Sequence, residues 1–284
     1  NLSKETYSTL GIQKKTNYAL RENMSKQEFI SELLDGMPTP PRYFKENAMM
    51  NKQGYNSFDD VIQQGNRALD INEFKHFLLN PDIILLDVRH QKDFIRKHIP
   101  NSIFIGLNGS FAPWVGSIIE DTNKKIVLIT PKGKENETVT RLSRVGFDNC
   151  LGYLKGGVEK WEKEGNSVSS LETIKSNNFI DILKLNKINI LDVRKESEYS
   201  TKHIEGANNI PLRLLSSRLQ EVKVDENLYV HCAGGYRSVI AISILRKKGY
   251  SGMINITEGF NEILKSDLNE NCYNSSLEAS CNNI

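Results

Sequence analysis

"INILDVRKESEYSTKHIEGANNIPL", residues 188–212, aligns without a gap on "IILLDVRHQKDFIRKHIPNSIFIGL", residues 83–107. Both stretches contain the run Leu-Asp-Val-Arg and, further on, the pair His-Ile. Downstream, "SILRKKGYSGMINI" at 243–256 resembles "RLSRVGFDNCLGYL" at 141–154, each with a glycine followed by an aromatic residue. Similarity in the same order, at offsets of 105 and 102 residues, indicates a repeated structural unit. We therefore predict two related domains in tandem.

The repeat divides the chain of 284 residues into four segments. The two copies take residues 66–166 and 167–268, and each is about a hundred residues long, the size of one domain. Residues 1–65 precede the copies, and residues 269–284 form a polar tail. A chain of this length can hold two ordinary domains together with connecting material.

Each copy alternates short apolar strands with helical segments. In the second copy, "INILDV", "ENLYVHC" and "SGMINI" predict strands, while "ESEYSTKH" and "SVIAISILRKKG" predict helices. Apolar strands interleaved with helices are typical of an α/β fold, here two domains that each have a mostly parallel sheet with helices on both faces. Ligands bind at the carboxyl ends of the strands in such sheets. Cys232 follows a strand at this end.

The turn "CAGGYRS" that contains Cys232 has the composition of an anion-binding turn. Gly234 and Gly235 can adopt positive φ and place no side chain between the backbone and a ligand. The N–H groups of the turn and the start of the following helix then favour an anion. Arg237 lies where the turn closes, and Ser238 is placed as a cap of the helix. These features favour the thiolate form of Cys232, which is the nucleophilic form.

The order "LDVR…HIEGANNIPL…VHCAGGYRS" resembles the rhodanese sulfurtransferases across both copies. The resemblance implies that Cys232 is the catalytic nucleophile, which takes a sulfane sulfur from thiosulfate or a low-molecular-weight persulfide and passes it to a thiol or cyanide. It implies supporting roles for Asp192, Arg194 and Glu198. It also implies that the persulfide is held by Ala233, Gly234, Gly235, Tyr236, Arg237 and Ser238.

Two other functions remain open. One is phosphatase or arsenate reductase chemistry on the same loop. Cysteine-dependent phosphatases, including relatives on this fold, use the spacing Cys-x5-Arg, whereas four residues separate Cys232 from Arg237 here. The tighter turn favours a single transferred sulfur over a phosphoryl group. A persulfide relay module that carries sulfur without turnover is the alternative outside catalysis. In the first copy the equivalent stretch, residues 128–142, contains no cysteine and predicts a solvated loop, so that copy is expected to be inactive.

Residues 1–65 lie outside the repeat. "SKQE" at 25–28 predicts a capping box before a short apolar helix face. The pattern "LSKETYSTLGIQKKTNYAL…SKQEFISELLDGMPTPPRYF" resembles the C-terminal end of a metallo-β-lactamase-fold persulfide dioxygenase, a family in which this domain is fused to tandem rhodaneses. That resemblance, with a chain that begins at Asn1 without Met, predicts a fragment of a sulfide or persulfide detoxification protein. Its dioxygenase body and the iron of that domain would then lie upstream.

The remaining expectations concern partners and compartment. No cofactor or metal is expected in this chain; the expected partners are a small sulfur donor, a thiol acceptor and the upstream dioxygenase domain, and homo-oligomerisation is left open. A net charge of +2 without a basic tract predicts no nucleic-acid partner, and no apolar run reaches the roughly 18 residues of a membrane span. Four cysteines without a secretory signal predict a reducing cytoplasm. Cys150 is expected in the core, and the roles of Cys272 and Cys281 are left open.

Overall fold

The chain divides into two compact units, residues 1–41 and 42–284. The computed structural model describes residues 7–20, 23–35, 43–54, 57–185, 188–223, 227–265 and 273–274. The first unit contains helices α1 (Leu10–Thr16) and α2 (Lys26–Leu34) and a 3-10 turn at Tyr18–Leu20. The predicted capping box is confirmed at the start of α2. The Glu28 N–H donates to the Ser25 hydroxyl, and the Ser25 N–H donates to the Glu28 carboxylate.

The second unit begins with two helices and continues with the first copy of the repeat. The helices before the copy are α3 (Tyr43–Gln53) and α4 (Phe58–Gly65). The strands of the first copy are β1 (Ala68–Leu69), β2 (Ile84–Asp87), β3 (Ile103–Phe104), β4 (Ile126–Ile129) and β5 (Cys150–Leu154). Its helices are α5 (Ile71–Leu78), α6 (Gln91–Arg96), α7 (Phe111–Ile118), α8 (Glu135–Ser143) and α9 (Gly157–Lys163). The strands form one parallel sheet in the order β1-β5-β4-β2-β3.

The second copy has the same arrangement. Its strands are β6 (Glu172–Ile174), β7 (Asn189–Asp192), β8 (His203–Ile204), β9 (Asn208–Asn209), β10 (Leu228–His231) and β11 (Met253–Ile256). Its helices are α10 (Ser176–Leu185), α11 (Glu196–Thr201), α12 (Tyr236–Lys247) and α13 (Phe260–Ile263), with 3-10 turns at Leu212–Ser217 and Leu219–Glu221. The order β6-β11-β10-β7-β9 is parallel throughout, and β12 (Tyr273–Asn274) pairs antiparallel with β8. The predicted α/β fold with two parallel-sheet domains is confirmed.

The two copies share one apolar cluster. It includes Phe104 and Val115 of the first copy together with Val230 and Ile240 of the second. At its centre α12 packs on β3, the edge strand of the first sheet, and the Phe104 N–H donates to the Ser243 hydroxyl of α12 at 3.0 Å. The helix that follows the Cys232 turn is therefore covered by the first copy.

No helix in the described ranges combines the length and the apolar character that crossing a membrane requires.

Candidate active site

Cys232 lies at the carboxyl end of β10, in the turn that joins this strand to α12. The register pairs His231, the residue before it, with Asp192 at the end of β7. The Cys232 side chain is 1% exposed and belongs to the apolar cluster shared by the two copies, whereas Gly234 in the same turn is exposed. The turn therefore lies at the surface, while the cysteine beside it is covered.

Gly235 determines the shape of this turn. Its φ is +82°, in the left-handed region that favours glycine, and a Cβ added there would lie 1.8 Å from the carbonyl oxygen of Thr257. At Gly234 an added Cβ would have no neighbour within 4 Å. Both the backbone and the packing therefore require glycine at position 235, whereas position 234 has room for a side chain.

The backbone N–H groups of residues 233–237 have no partner among backbone carbonyls in the described part of the chain. Most N–H groups in folded proteins have an acceptor, so a run of five without one marks a place where a ligand can supply it. The same turn begins α12, whose N-cap Gly235 has no side chain to accept these hydrogen bonds. Such a turn stabilises a negatively charged atom next to Cys232.

Ser238 is not the helix cap that the sequence predicts. The helix begins at Tyr236, because the left-handed conformation of Gly235 lets the chain enter the helix directly after it. Ser238 consequently lies inside the first turn, where its hydroxyl donates to the Gly235 carbonyl at 3.1 Å. Its Oγ lies 3.9 Å from the Sγ of Cys232. The prediction of a cap was wrong, and the hydroxyl is instead a neighbour of the sulfur.

Arg237 forms an ion pair with Glu198 of α11. Its Nη1 and Nη2 donate to the two carboxylate oxygens at 2.7 and 2.8 Å, the bidentate geometry of a strong charge-assisted pair. These hydrogen bonds lower the pKa of Glu198 to about 2, against the effect of partial burial. They also raise the pKa of Arg237, to which neighbouring Cys232 adds a smaller contribution. The cation predicted at this turn is thus partly neutralised and held in place by a carboxylate.

Replacement of Glu198 by glutamine is expected to lower the free energy of unfolding by about 1–2 kcal/mol at pH 7. This value allows for solvent screening of the ion pair, because the Glu198 side chain is 32% exposed. The folded-state pKa lies below the usual value of 4.5, so ionised Glu198 stabilises the fold fully above that pH. The contribution falls as the pH drops from about 4.5 towards 2. Urea unfolding of wild type and E198Q at pH 7 and pH 4 should show a smaller difference at pH 4.

Glu221→Gln is the matched control for this measurement. Glu221 also forms an ion pair with an arginine, Arg218, but this pair is more exposed and does not include a residue of the Cys232 turn. We expect a smaller loss of stability and unchanged chemistry at Cys232. A difference between wild type and E198Q that grows on acidification would contradict this account of the Glu198 pair.

Asp192 and Arg194 form a second ion pair, which is buried. Arg194 Nη2 lies 2.6 Å from the Asp192 carboxylate and also donates to the Lys202 carbonyl, and its guanidinium stacks 3.8 Å from the centre of the Phe260 ring. The first copy has the same 2.6 Å pair between Asp87 and Arg89, although it lacks the cysteine. Because the pair recurs without the thiol, its role is to hold the strand end and the loop after it.

Residues 257–261 support the turn from the neighbouring strand end, a role that the sequence did not reveal. The Phe260 N–H donates to the Cys232 carbonyl at 2.8 Å, and the Asn261 N–H donates to the Ala233 carbonyl at 2.9 Å. Gly259 has a φ of +66°, and a Cβ there would lie 2.5 Å from the Cys232 carbonyl oxygen. The available signal was the glycine in "TEGF", directly after a predicted strand.

His231 lies on the other face of β10 from Cys232. Its ring is fully buried and stacks on Phe260, and burial lowers its pKa. Its Nε2 lies 3.7 Å from the Asp192 carboxylate and has no hydrogen-bond partner within the described residues. The ring therefore belongs to the packing beneath the strand and does not reach the thiol as a base.

The matching turn of the first copy is closed by its own acidic side chain. The Gly133 N–H donates to the Glu135 carboxylate at 3.1 Å, so the anion bound at this turn is a side chain of the copy itself. The stretch predicted as a solvated loop, residues 128–142, begins within β4 and is loop only over residues 130–134. From Glu135 to Ser143 it is helix α8, with Glu135 and Glu137 in the first turn, where acidic side chains complement the helix dipole.

The other cysteines differ from Cys232. Cys150 is fully buried in β5, 3.9 Å from the Gly65 carbonyl oxygen, and burial raises its pKa to about 12. This confirms the core position predicted for it. Cys272 and Cys281 lie outside the described residues. No group of three or more His, Cys, Asp or Glu side chains within the described ranges is arranged to hold a metal ion.

The sequence profile of the rhodanese-like domain matches residues 70–164 and, separately, residues 177–266. Together the two matches cover well over half of the chain, and each contains four of the five strands of one parallel sheet. The chain belongs to the rhodanese-like family. The two rhodanese copies predicted from the repeat are thereby confirmed.

Individual rhodanese-like relatives cover shorter stretches. The candidate sulfur carrier protein YrkF of Bacillus subtilis (strain 168) is 32% identical over 112 residues, which are 39% of this chain and 58% of YrkF. The thiosulfate sulfurtransferase PspE of Escherichia coli (strain K12) is 36% identical over 67 residues, 23% of this chain and 64% of PspE. Thus this chain spans less than two thirds of the length of each of these two relatives. A crystal structure of a thiosulfate sulfurtransferase from Pseudomonas aeruginosa matches at 19% identity and a TM-score of 0.33, over 74% of this chain and 43% of that one.

Proposed function

We propose that this rhodanese-like protein is a sulfurtransferase that moves a sulfane sulfur from thiosulfate or a low-molecular-weight persulfide to a thiol or cyanide, through a persulfide on Cys232. The observation that carries the proposal is that Cys232 directly precedes a turn whose N–H groups have no backbone acceptor in the described part of the chain, at the start of α12. Membership of the family and the sulfurtransferase relatives support it.

In the first step the Cys232 thiolate attacks the outer sulfur of thiosulfate. The new S–S bond forms as the S–S bond of thiosulfate breaks, and sulfite leaves with the electron pair of that bond. With a low-molecular-weight persulfide as donor, a thiolate leaves in place of sulfite. The chain then carries one additional sulfur, whose negative charge lies among the N–H groups of residues 233–237.

In the second step an acceptor removes this sulfur. An acceptor thiolate attacks the terminal sulfur, the persulfide bond breaks, and Cys232 leaves as the thiolate that begins the next cycle. Cyanide takes the sulfur in the same way and becomes thiocyanate. The two steps balance without any further oxidant or reductant, so the proposal requires no cofactor in this chain.

The environment of Arg237 favours sulfur transfer over phosphoryl transfer. A phosphoryl group carries three equatorial oxygens that need cationic donors, whereas both terminal nitrogens of Arg237 already donate to Glu198. A phosphate would also face the Glu198 carboxylate, which is ionised at neutral pH. A single sulfur atom needs fewer donors, and the backbone N–H groups supply them.

A persulfide relay is the second candidate, favoured by the similarity to a protein named as a candidate sulfur carrier. A relay would form the same persulfide on Cys232 but release the sulfur only to a protein partner. Multiple turnovers with thiosulfate and cyanide therefore distinguish the enzyme from the relay.

The sequence resemblance of residues 1–65 to the end of a persulfide dioxygenase extends this proposal. We propose that the chain acts in sulfide or persulfide detoxification, where an upstream dioxygenase domain handles the same class of persulfide.

Intact mass spectrometry tests the proposal. After incubation with thiosulfate or glutathione persulfide, each chain is expected to gain about 32 Da, the mass of one sulfur, and to lose it on addition of cyanide. A phosphatase assay on the same preparation should show no turnover. A chain that gains no sulfur from either donor, or that hydrolyses a phosphate ester at a comparable rate, would refute the proposal.

A further inference from the structure

Tyr236 links the Cys232 turn to the first copy. It is the first residue of α12, between Gly235 and Arg237, and its hydroxyl donates to the Gly106 carbonyl of the first copy at 3.2 Å. Its ring packs edge-on against Phe104, with centroids 5.7 Å apart. Burial raises the pKa of Tyr236 to about 12, so the hydroxyl keeps its proton and remains a donor at neutral pH.

The acceptor segment, residues 105–109 of the first copy, contains the Gly106 carbonyl and is itself held by hydrogen bonds. The Ile105 and Leu107 N–H groups donate to the carbonyls of Asp87 and Val88 at 3.0 and 2.9 Å. Arg141 of α8 also donates to this segment, to the Leu107 and Gly109 carbonyls at 2.6 and 3.2 Å. The Gly106 carbonyl is therefore a fixed point and not part of a loose loop.

We propose that Tyr236 is a positioning residue through which the inactive first copy fixes the first turn of α12, and with it the N–H groups that hold the transferred sulfur. The inference rests on the persulfide chemistry proposed above and adds a structural role for the copy that has no cysteine in the matching turn. The first turn of a helix is its least constrained part, because its N–H groups have no partner within the helix. An anchor on its first residue reduces this freedom at the point where the sulfur binds.

A role in interface packing alone would not require the hydroxyl. The Phe104 N–H bond to Ser243 and the contact of α12 with β3 already join the two copies. The Tyr236 hydroxyl adds one hydrogen bond at the end of α12 that borders Cys232. Its removal should therefore act on the turn more than on the interface.

The test compares Tyr236→Phe with Tyr250→Phe in the full chain. Tyr250 follows the other end of α12, and its hydroxyl donates to the Leu219 carbonyl at 2.9 Å, so each variant removes one tyrosine hydrogen bond and retains the ring. We expect both variants to shift the urea midpoint slightly and to a similar extent. Only Y236F should accelerate amide exchange of Ile240 and Ala241, the first residues whose N–H groups can bond to carbonyls within α12, by about tenfold, because only it releases the first turn.

The kinetic measurement is the rate constant for persulfide formation from thiosulfate. Y236F should lower it by about five- to tenfold, while Y250F leaves it near the wild-type value. Arg141→Gln, which loosens the acceptor segment without touching Tyr236, should lower it in the same direction. The double variant R141Q/Y236F should be no slower than Y236F alone, because both changes release the same contact.

Equal amide exchange and equal rates in Y236F and Y250F would overturn the proposal, as would fully additive effects in the double variant. The exchange measurement does not depend on sulfur transfer. If the wild-type chain gains no sulfur from any donor, the proposed function fails, while amide exchange of the two tyrosine variants still decides whether Tyr236 holds the turn.

Discussion

Replacement of Cys232 by serine is expected to remove sulfur transfer, with a fall of about a thousandfold or more in turnover with thiosulfate and cyanide. A serine hydroxyl is not ionised at neutral pH and cannot carry a sulfane sulfur, so neither step of the proposed cycle remains. The fold should persist, because serine is close in size to cysteine and Ser238 Oγ lies nearby as a polar neighbour. The mass gain of about 32 Da should disappear together with turnover.

Cys150→Ala is the matched control for this variant. Cys150 is equally buried, but it lies in a strand of the first copy and its pKa is raised to about 12, so it stays a thiol at neutral pH. C150A should retain the mass gain and most of the turnover. Transfer that survives in C232S would contradict the assignment and would direct attention to Cys150, Cys272 or Cys281.

The fold and the position of Cys232 could be predicted from the sequence because they depend on local patterns. The repeated run Leu-Asp-Val-Arg marks the end of β2 and of β7, and the alternation of apolar strands with helices predicts a parallel sheet. A cysteine directly after such a strand must lie at the carboxyl edge. The two glycines after it predicted a turn with positive φ, which the structure shows at Gly235.

The side-chain partners at the site could not be predicted, because they join residues that are far apart in sequence. Glu198 was assigned a supporting role, but nothing in its spacing shows that it pairs with Arg237 from α11. The Tyr236 bond to Gly106 crosses between the two copies. The sequence also predicts Ser238 as the helix cap, because serine is a favoured residue at that position. The helix instead begins at Tyr236, directly after Gly235 in its left-handed conformation.

Replacement of Gly235 by alanine is the second change for which we expect a large effect. The new Cβ would meet the Thr257 carbonyl oxygen at 1.8 Å, and backbone atoms cannot move aside as the end of a flexible side chain can. The residue would also have to keep a φ of +82°, which alanine adopts only with strain. To relieve the clash, the turn must move away from residues 257–261, which now hold the Cys232 and Ala233 carbonyls.

The result expected for G235A is a loss of about 2–4 kcal/mol in the free energy of unfolding and a fall of about a hundredfold or more in sulfur transfer. The two effects have one origin, because the backbone that the clash displaces carries both the hydrogen bonds to Phe260 and Asn261 and the N–H groups around the sulfur. Urea unfolding gives the first quantity. The rate of persulfide formation under conditions where the variant is folded gives the second.

Gly234→Ala separates this explanation from a general need for glycine in the turn. Its added Cβ has no neighbour within 4 Å and its φ is not positive, so the backbone can stay where it is. G234A should keep the wild-type stability to within about 0.5 kcal/mol and most of the sulfur-transfer rate. If G234A loses as much activity as G235A, the activity depends on an open surface at the turn, where the sulfur donor approaches, more than on the packing of Gly235 against Thr257. If G235A is as active as wild type, the N–H groups of this turn do not hold the transferred sulfur, because its backbone could then move without consequence for the chemistry at Cys232.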